Sequence, residues 1–208
     1  MPAFRIGDKL ILFIHIPKAG GTSIKSWLAS HAPENLYQKH RPEIFPCVPQ
    51  HFHGEVLDTL FAPGFFDYSF CVTRNPYDRI LSEYNYRINI PRLKNKLLPK
   101  PSFERWLKSA LSTFKKNGYV HSNHVRPQHE FLIEDTETFR LEDGLGPLQA
   151  RLTALTGIPL EEQIPTKNPS IKSETKISAY EAGLIREFYA DDFERFGYDP
   201  ESWRELAA

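Results

Sequence analysis

Six consecutive residues, Lys18-Ala-Gly-Gly-Thr-Ser23, combine one cation, two glycines and two hydroxyls. That is the chemistry of an anion cradle. Glycines let backbone approach a ligand closely, and a helix N-terminus supplies unpaired N–H donors and a positive dipole end. Lys18, Ala19, Gly20, Gly21, Thr22 and Ser23 are therefore candidate phosphate-binding residues; the plain alternative is an ordinary strand-to-helix turn rich in small residues. A second constellation, Arg74-Asn-Pro-Tyr-Asp-Arg-Ile-Leu-Ser82, places a guanidinium and a hydroxyl eight residues apart. Here the plain alternative is an arginine that meets a carboxylate and a solvated helix serine. A third pair, His51 and His53, offers imidazoles that can be neutral near pH 7 and so act as a general base.

The elements needed to position these groups are legible. Ile11 to Ile16 is apolar and β-branched enough for a strand buried on both faces, and Ile24, Trp27 and Leu28 recur at helical spacing after the loop. Tyr68 to Thr73 predicts a second strand, leading into a helix with Asn75 as N-cap, Pro76 at the first position and Asp78 in the first turn. Tyr77, Ile80, Leu81, Tyr84 and Ile88 form its core stripe, with Arg79 and Ser82 on a different, polar face. Both histidines precede a short helix over Glu55 to Phe61. Further helices are predicted after Ser102, over Leu145 to Leu155, and after the capping box Ser178 to Glu181. Strands followed by helices imply an α/β fold of three layers, a mostly parallel central sheet flanked by helices, with its ligand beyond the carboxyl ends of the strands. We expect residues 1–208 to form one domain.

Lys+Arg and Asp+Glu both number 26, so no global charge points to nucleic acid or an anionic membrane. The one basic run, with Arg92, Lys94, Lys96 and Lys100 and no acid, is a candidate rim for an anionic acceptor, or else a solvated loop. Cys47 and Cys71 do not make a disulfide framework. No leader-like stretch opens the chain and Leu10 to Ile16 is too short to span a bilayer, so we expect a cytoplasmic protein without stable membrane insertion. His121, His124 and His129 lack the paired spacing of a zinc site, and no metal is expected.

Two anion sites on one rim suggest a nucleotide with two separate phosphate groups. An ATP-binding P-loop is the nearest general idea, but it ends in Gly-Lys-Ser/Thr and is backed by an Asp after another strand. Here the lysine opens the loop and the second strand ends in Thr73-Arg74. The chain instead resembles sulfotransferases that use 3′-phosphoadenosine 5′-phosphosulfate (PAPS), in the branch of heparan sulfate 2-O- and chondroitin sulfotransferases and small bacterial relatives. Ile16-Pro-Lys-Ala-Gly-Gly-Thr-Ser23 is similar to their 5′-phosphosulfate loop and Arg74 to Ser82 to their 3′-phosphate motif. Weaker similarities are Arg126-Pro-Gln128, Lys167-Asn168-x-Ser170 and Tyr189 to Tyr198.

The resemblance implies a P-loop-like fold and metal-independent, in-line transfer of a sulfuryl group to a hydroxyl or amine, a carbohydrate being the expected acceptor, with the desulfated nucleotide PAP as product. Lys18 would neutralise charge on the bridging oxygen. The Gly20 to Ser23 segment would hold the 5′-phosphate, and Arg74 and Ser82 the 3′-phosphate, with Asn168 and Ser170 as further nucleotide contacts. His51 aligns with the family's base, and His53 with a small hydroxyl residue two positions later, so His51 ranks first and His53 second. A nucleotide kinase and a catalytically silent nucleotide-binding module remain as alternatives, and oligomeric state is not specified.

Overall fold

The computed structural model describes residues 2–35, 43–90, 99–157 and 175–206. Arg92, Lys94, Lys96, Asn168 and Ser170 lie outside them. Lys100 is described; it is exposed and donates to Asn89 Oδ1 at 3.0 Å.

The sheet grows around the apolar run after Gly7. Strand β2 (Lys9–Ile14) pairs in parallel with β4 (Tyr68–Thr73), Ile11 facing Tyr68 and Ile14 facing Cys71, and β4 pairs in parallel with β5 (Glu137–Arg140). An antiparallel edge is added by β1 (Ala3–Ile6) and the two-residue β3 (Glu34–Asn35), giving the order β3-β1-β2-β4-β5. The strands that carry the motifs are thus parallel to one another, and their carboxyl ends share one rim. The edge strands are what periodicity misses: β1 contains exposed Arg5, and β5 offers one large apolar residue, Phe139.

Because successive side chains alternate, both faces of β2 and β4 must be covered. Ile11, Phe13, Phe70 and Val72 pack with Trp27 and Leu28 of α1 (Gly21–His31) and with α5 (Gly146–Thr156). Leu12, Ile14 and Cys71 pack on the other side with Phe52, Phe131 and Leu57 of α2 (Gly54–Leu60). This is the three-layer arrangement that the continuous apolar strands require. Beyond it, α3 (Pro76–Asn89), α4 (Phe103–Lys116), α6 (Ala179–Phe188) and α7 (Ala190–Phe196) share a third core around Tyr77, Tyr84, Trp106, Ile185 and Phe193.

The local signals sit where the sequence puts them. Asn75 accepts from the Tyr77 N–H, Ser102 from Arg105, and Ser178 with Glu181 forms a complete capping box. Cys47 and Cys71 are buried and form no disulfide. Among the described residues, no helix is long and apolar enough to cross a membrane.

Candidate functional site

The loop from β2 into α1 turns twice through left-handed backbone, at Lys18 (φ 69°) and Gly20 (φ 78°), and α1 begins with no side-chain cap. Ser23 and Ile24 N–H return to the Gly20 carbonyl at 3.0 and 3.4 Å. The N–H groups of Gly20, Gly21 and Thr22 have no acceptor among the described residues, so the helix start presents bare donors to the rim. Ser23 is buried.

Gly21 is required by space. A Cβ there would lie 2.1 Å from the His15 ring, which is itself stacked on Phe13 and edge-on to His51. Gly21→Ala should therefore cost about 1–3 kcal/mol, although the same change elsewhere in a helix gains up to about 1 kcal/mol. Urea unfolding of Gly21→Ala, His15→Ala and the double variant checks this. Sub-additive losses are expected; strictly additive ones would show that the contact is not felt.

The second motif reaches the same rim. Arg74 Nη1 donates to the Lys18 carbonyl at 3.3 Å, and Asp78 lies 3.9 Å from its other terminal nitrogen. Burial raises the Asp78 pKa and the Arg74 charge opposes that. Gln128 fixes the Arg74 backbone on both sides, accepting from its N–H at 2.9 Å and donating to its carbonyl at 2.8 Å. Gln128 is held in turn by Asp192, which accepts from the N–H groups of Gln128 and His129. The Arg126-Pro-Gln128 and Tyr189 to Tyr198 stretches are thereby joined to the site.

Asp78, Ser82 and Tyr86 follow at i, i+4, i+8 on one side of α3. The Lys18 ammonium sits 4.5 Å from the centre of the Tyr86 ring, and partial burial lowers its pKa, an effect that Glu83 opposes and Arg74 and Arg87 reinforce. Ser82 is half-buried, and its hydroxyl has no partner among the described residues. Arg79 departs from the expected polar face. It is 2 % exposed, donates to the carbonyls of Pro17 (3.0 Å) and Arg126 (2.9 Å), and approaches that of His124 (3.3 Å). It clamps the loop to the 124–126 segment rather than facing a ligand. Helical spacing alone cannot separate a solvated face from one covered by a distant segment.

The histidines divide into two environments. His51 is buried with its ring between those of His15 (5.3 Å) and His124 (4.8 Å). Its Nδ1 lies 3.1 Å from the Ser122 carbonyl, which can only accept, so Nδ1 carries the proton. Its Nε2 is then an acceptor for the Gln50 amide at 3.0 Å. Burial, and then the neighbouring imidazoles, hold its pKa well below the usual value. His53 caps the start of α2 and faces elsewhere, with Glu55 at 3.6 Å, Asn123 at 3.5 Å and the Tyr119 ring alongside; burial and Arg126 lower its pKa. Only His51 therefore joins the cluster beside the loop.

His15 and His124 complete that cluster. Burial lowers the pKa of His15 to about 3, and its Nδ1 is shielded without a partner. The His124 Nδ1 is 2.6 Å from the fully buried Glu83 carboxylate. In the sequence His124 is weighed only as a zinc ligand and set aside, and His15 does not stand out, although it lies three positions before Lys18. Despite three imidazoles, no group of His, Cys, Asp or Glu among the described residues is arranged to hold a metal ion.

A cleft of about 300 Å³ lies at the opposite end of β4, between Phe61, Phe65, Phe66 and Ile133. It is far from the converging loop, Arg74 and histidines, so the chemistry locates the site better than cavity size does. No curated protein and no solved structure matches the chain. The model of the Sulfotransferase family does match, over residues 2–199, and the chain belongs to that family.

Proposed function

We propose that this sulfuryl transferase takes its group from PAPS and delivers it to a hydroxyl, or an amine, of a carbohydrate acceptor. The observation that carries the reading is the shared rim, where Arg74 bonds the backbone of Lys18 beside the uncapped start of α1. One end can receive a 5′-phosphosulfate on the Gly20 to Ser23 segment, and the other a 3′-phosphate on Arg74 and Ser82. Lys18 then stabilises charge on the bridging oxygen as it leaves, and an imidazole takes the acceptor's proton. His51, the leading histidine of the sequence, lies in the cluster on that side, whereas His53 does not. Asn168 and Ser170 for the nucleotide, and Arg92, Lys94 and Lys96 for an anionic acceptor, rest on the sequence alone. That Cys47 and Cys71 form no disulfide fits a reducing compartment such as the cytoplasm.

Transfer of labelled sulfate from PAPS to a panel of glycans and small hydroxyl compounds tests the proposal; a chain that neither transfers nor binds PAP would end it. Arg74→Ala should weaken PAP binding at least about tenfold, the worth of a charge-assisted contact, in a titration without metal. A nucleotide kinase would instead bind ATP with Mg²⁺ and keep that affinity in Arg74→Ala.

A further inference from the structure

We propose that His124, held by Glu83, is the group that takes the proton from the acceptor. This rests on the sulfuryl-transfer reading above and names a base within it. The Glu83 carboxylate accepts from His124 Nδ1 at 2.6 Å, which fixes the proton on Nδ1 and the lone pair on Nε2. Glu83 is itself pinned: it is 0 % exposed, and its other oxygen takes Arg87 Nε at 2.5 Å. A buried carboxylate that orients an imidazole and stabilises the imidazolium it becomes is the arrangement that makes histidine an effective base.

The two candidate imidazoles differ in what is left to react. Both His51 nitrogens are engaged, with Ser122 O and the Gln50 amide. The His124 Nε2 has no partner among the described residues, and the His124 side chain keeps 14 % exposure. Position agrees. His124 stacks on Tyr86, with centroids 6.2 Å apart and planes 19° apart, and the Lys18 ammonium meets the same ring. The proton acceptor and the leaving-group cation thus both lie against one aromatic ring.

The charged groups around His124 suit the role. Glu83 on α3 favours the imidazolium, while Arg87 on α3, Lys18 on the loop and the neighbouring His15, His51 and His121 disfavour it; Arg79 bonds the His124 carbonyl, not its ring. Burial leaves the ring neutral near pH 7. In the step, the acceptor O–H bond breaks and its proton goes to Nε2. The new O–S bond forms as the bond from sulfur to the nucleotide's bridging oxygen breaks, and the imidazolium is held by Glu83 until it loses the proton to water.

Kinetics of the full chain with PAPS, alongside PAP titration, test the assignment in His124→Gln, Glu83→Gln and His51→Gln. His124→Gln should lower kcat about 10²- to 10⁴-fold with PAP affinity held within a few-fold. Glu83→Gln should lower kcat and move the acidic limb of its pH profile to lower pH, because the charge that raises the imidazole's pKa is gone. His51→Gln should keep that limb. Near-normal kcat in His124→Gln, or a limb unmoved in Glu83→Gln and lost in His51→Gln, would overturn the proposal in favour of His51. If His124→Gln loses PAP binding and so fails to fold, the Glu83→Gln profile decides. A wild-type chain without PAP binding or transfer overturns the donor assignment itself.

Discussion

Lys18→Ala should lower kcat about 10²- to 10³-fold, the range for removing one preorganised group that meets charge developing in a transition state, while PAP binds within a few-fold of normal. The asymmetry follows from the geometry. The loop presents the Gly20, Gly21 and Thr22 N–H groups whatever side chain stands at position 18, and the Lys18 carbonyl that Arg74 uses is unchanged by the substitution. What disappears is a half-buried ammonium against Tyr86, whose surroundings screen it less than water would. Charge on the bridging oxygen grows as the S–O bond lengthens, so the missing cation is felt more in the transition state than in the ground state. Lys18→Arg should recover only part of the rate, since a planar fork does not reproduce a compact point charge. Single-turnover transfer with a PAP titration separates the two effects; a loss of affinity as large as the loss of rate would make Lys18 a binding residue and nothing more.

The sequence exposes this loop because three independent patterns meet there: a continuous apolar strand, a small-residue turn and a 3.6-residue period after it. The Asn75 cap and the Ser178 box are equally local, and both appear in the structure as read. What escapes is whatever depends on distant chain. Arg79 looks solvated from its own helix, yet it is buried because residues 124 and 126 bring their carbonyls to it. Glu83 lies in the middle of α3 with nothing to mark it until His124, 41 positions away, is placed on it. Gln128 gains its place only when Asp192, 64 positions on, anchors its backbone. The candidate anion loop is local and legible, whereas the residues proposed to handle the proton are brought together across the fold.

The same imidazole cluster should make the protein lose stability as pH falls below about 6.5, the ordinary histidine value. His15, His51 and His124 are all held below that value, chiefly by burial. An unfolded chain protonates them as pH drops through 6.5, but the folded chain does not. Each contribution to stability is thus complete above pH 6.5 and is lost as pH falls toward the folded value, about 3 for His15. Between those limits each such group adds a slope of about 1.4 kcal/mol per pH unit. His129 acts oppositely: its bond to Asp192 raises its pKa, so its contribution is present below pH 6.5 and fades as pH rises above it. His53 and His121 are lowered by burial in the same direction as the cluster, so five groups against one leave the acid side the weaker. Urea midpoints measured from pH 7.5 to 4.5 should fall steadily below 6.5, and His15→Asn should flatten the curve by about one group's share. A midpoint that stays level from pH 7 to 5 would mean the cluster can take up protons while folded. A cluster that could do so would titrate near the ordinary histidine value, and its imidazoles would lose the lone pairs needed to take the acceptor's proton as soon as pH fell through about 6.5, rather than keeping them well into the acid range.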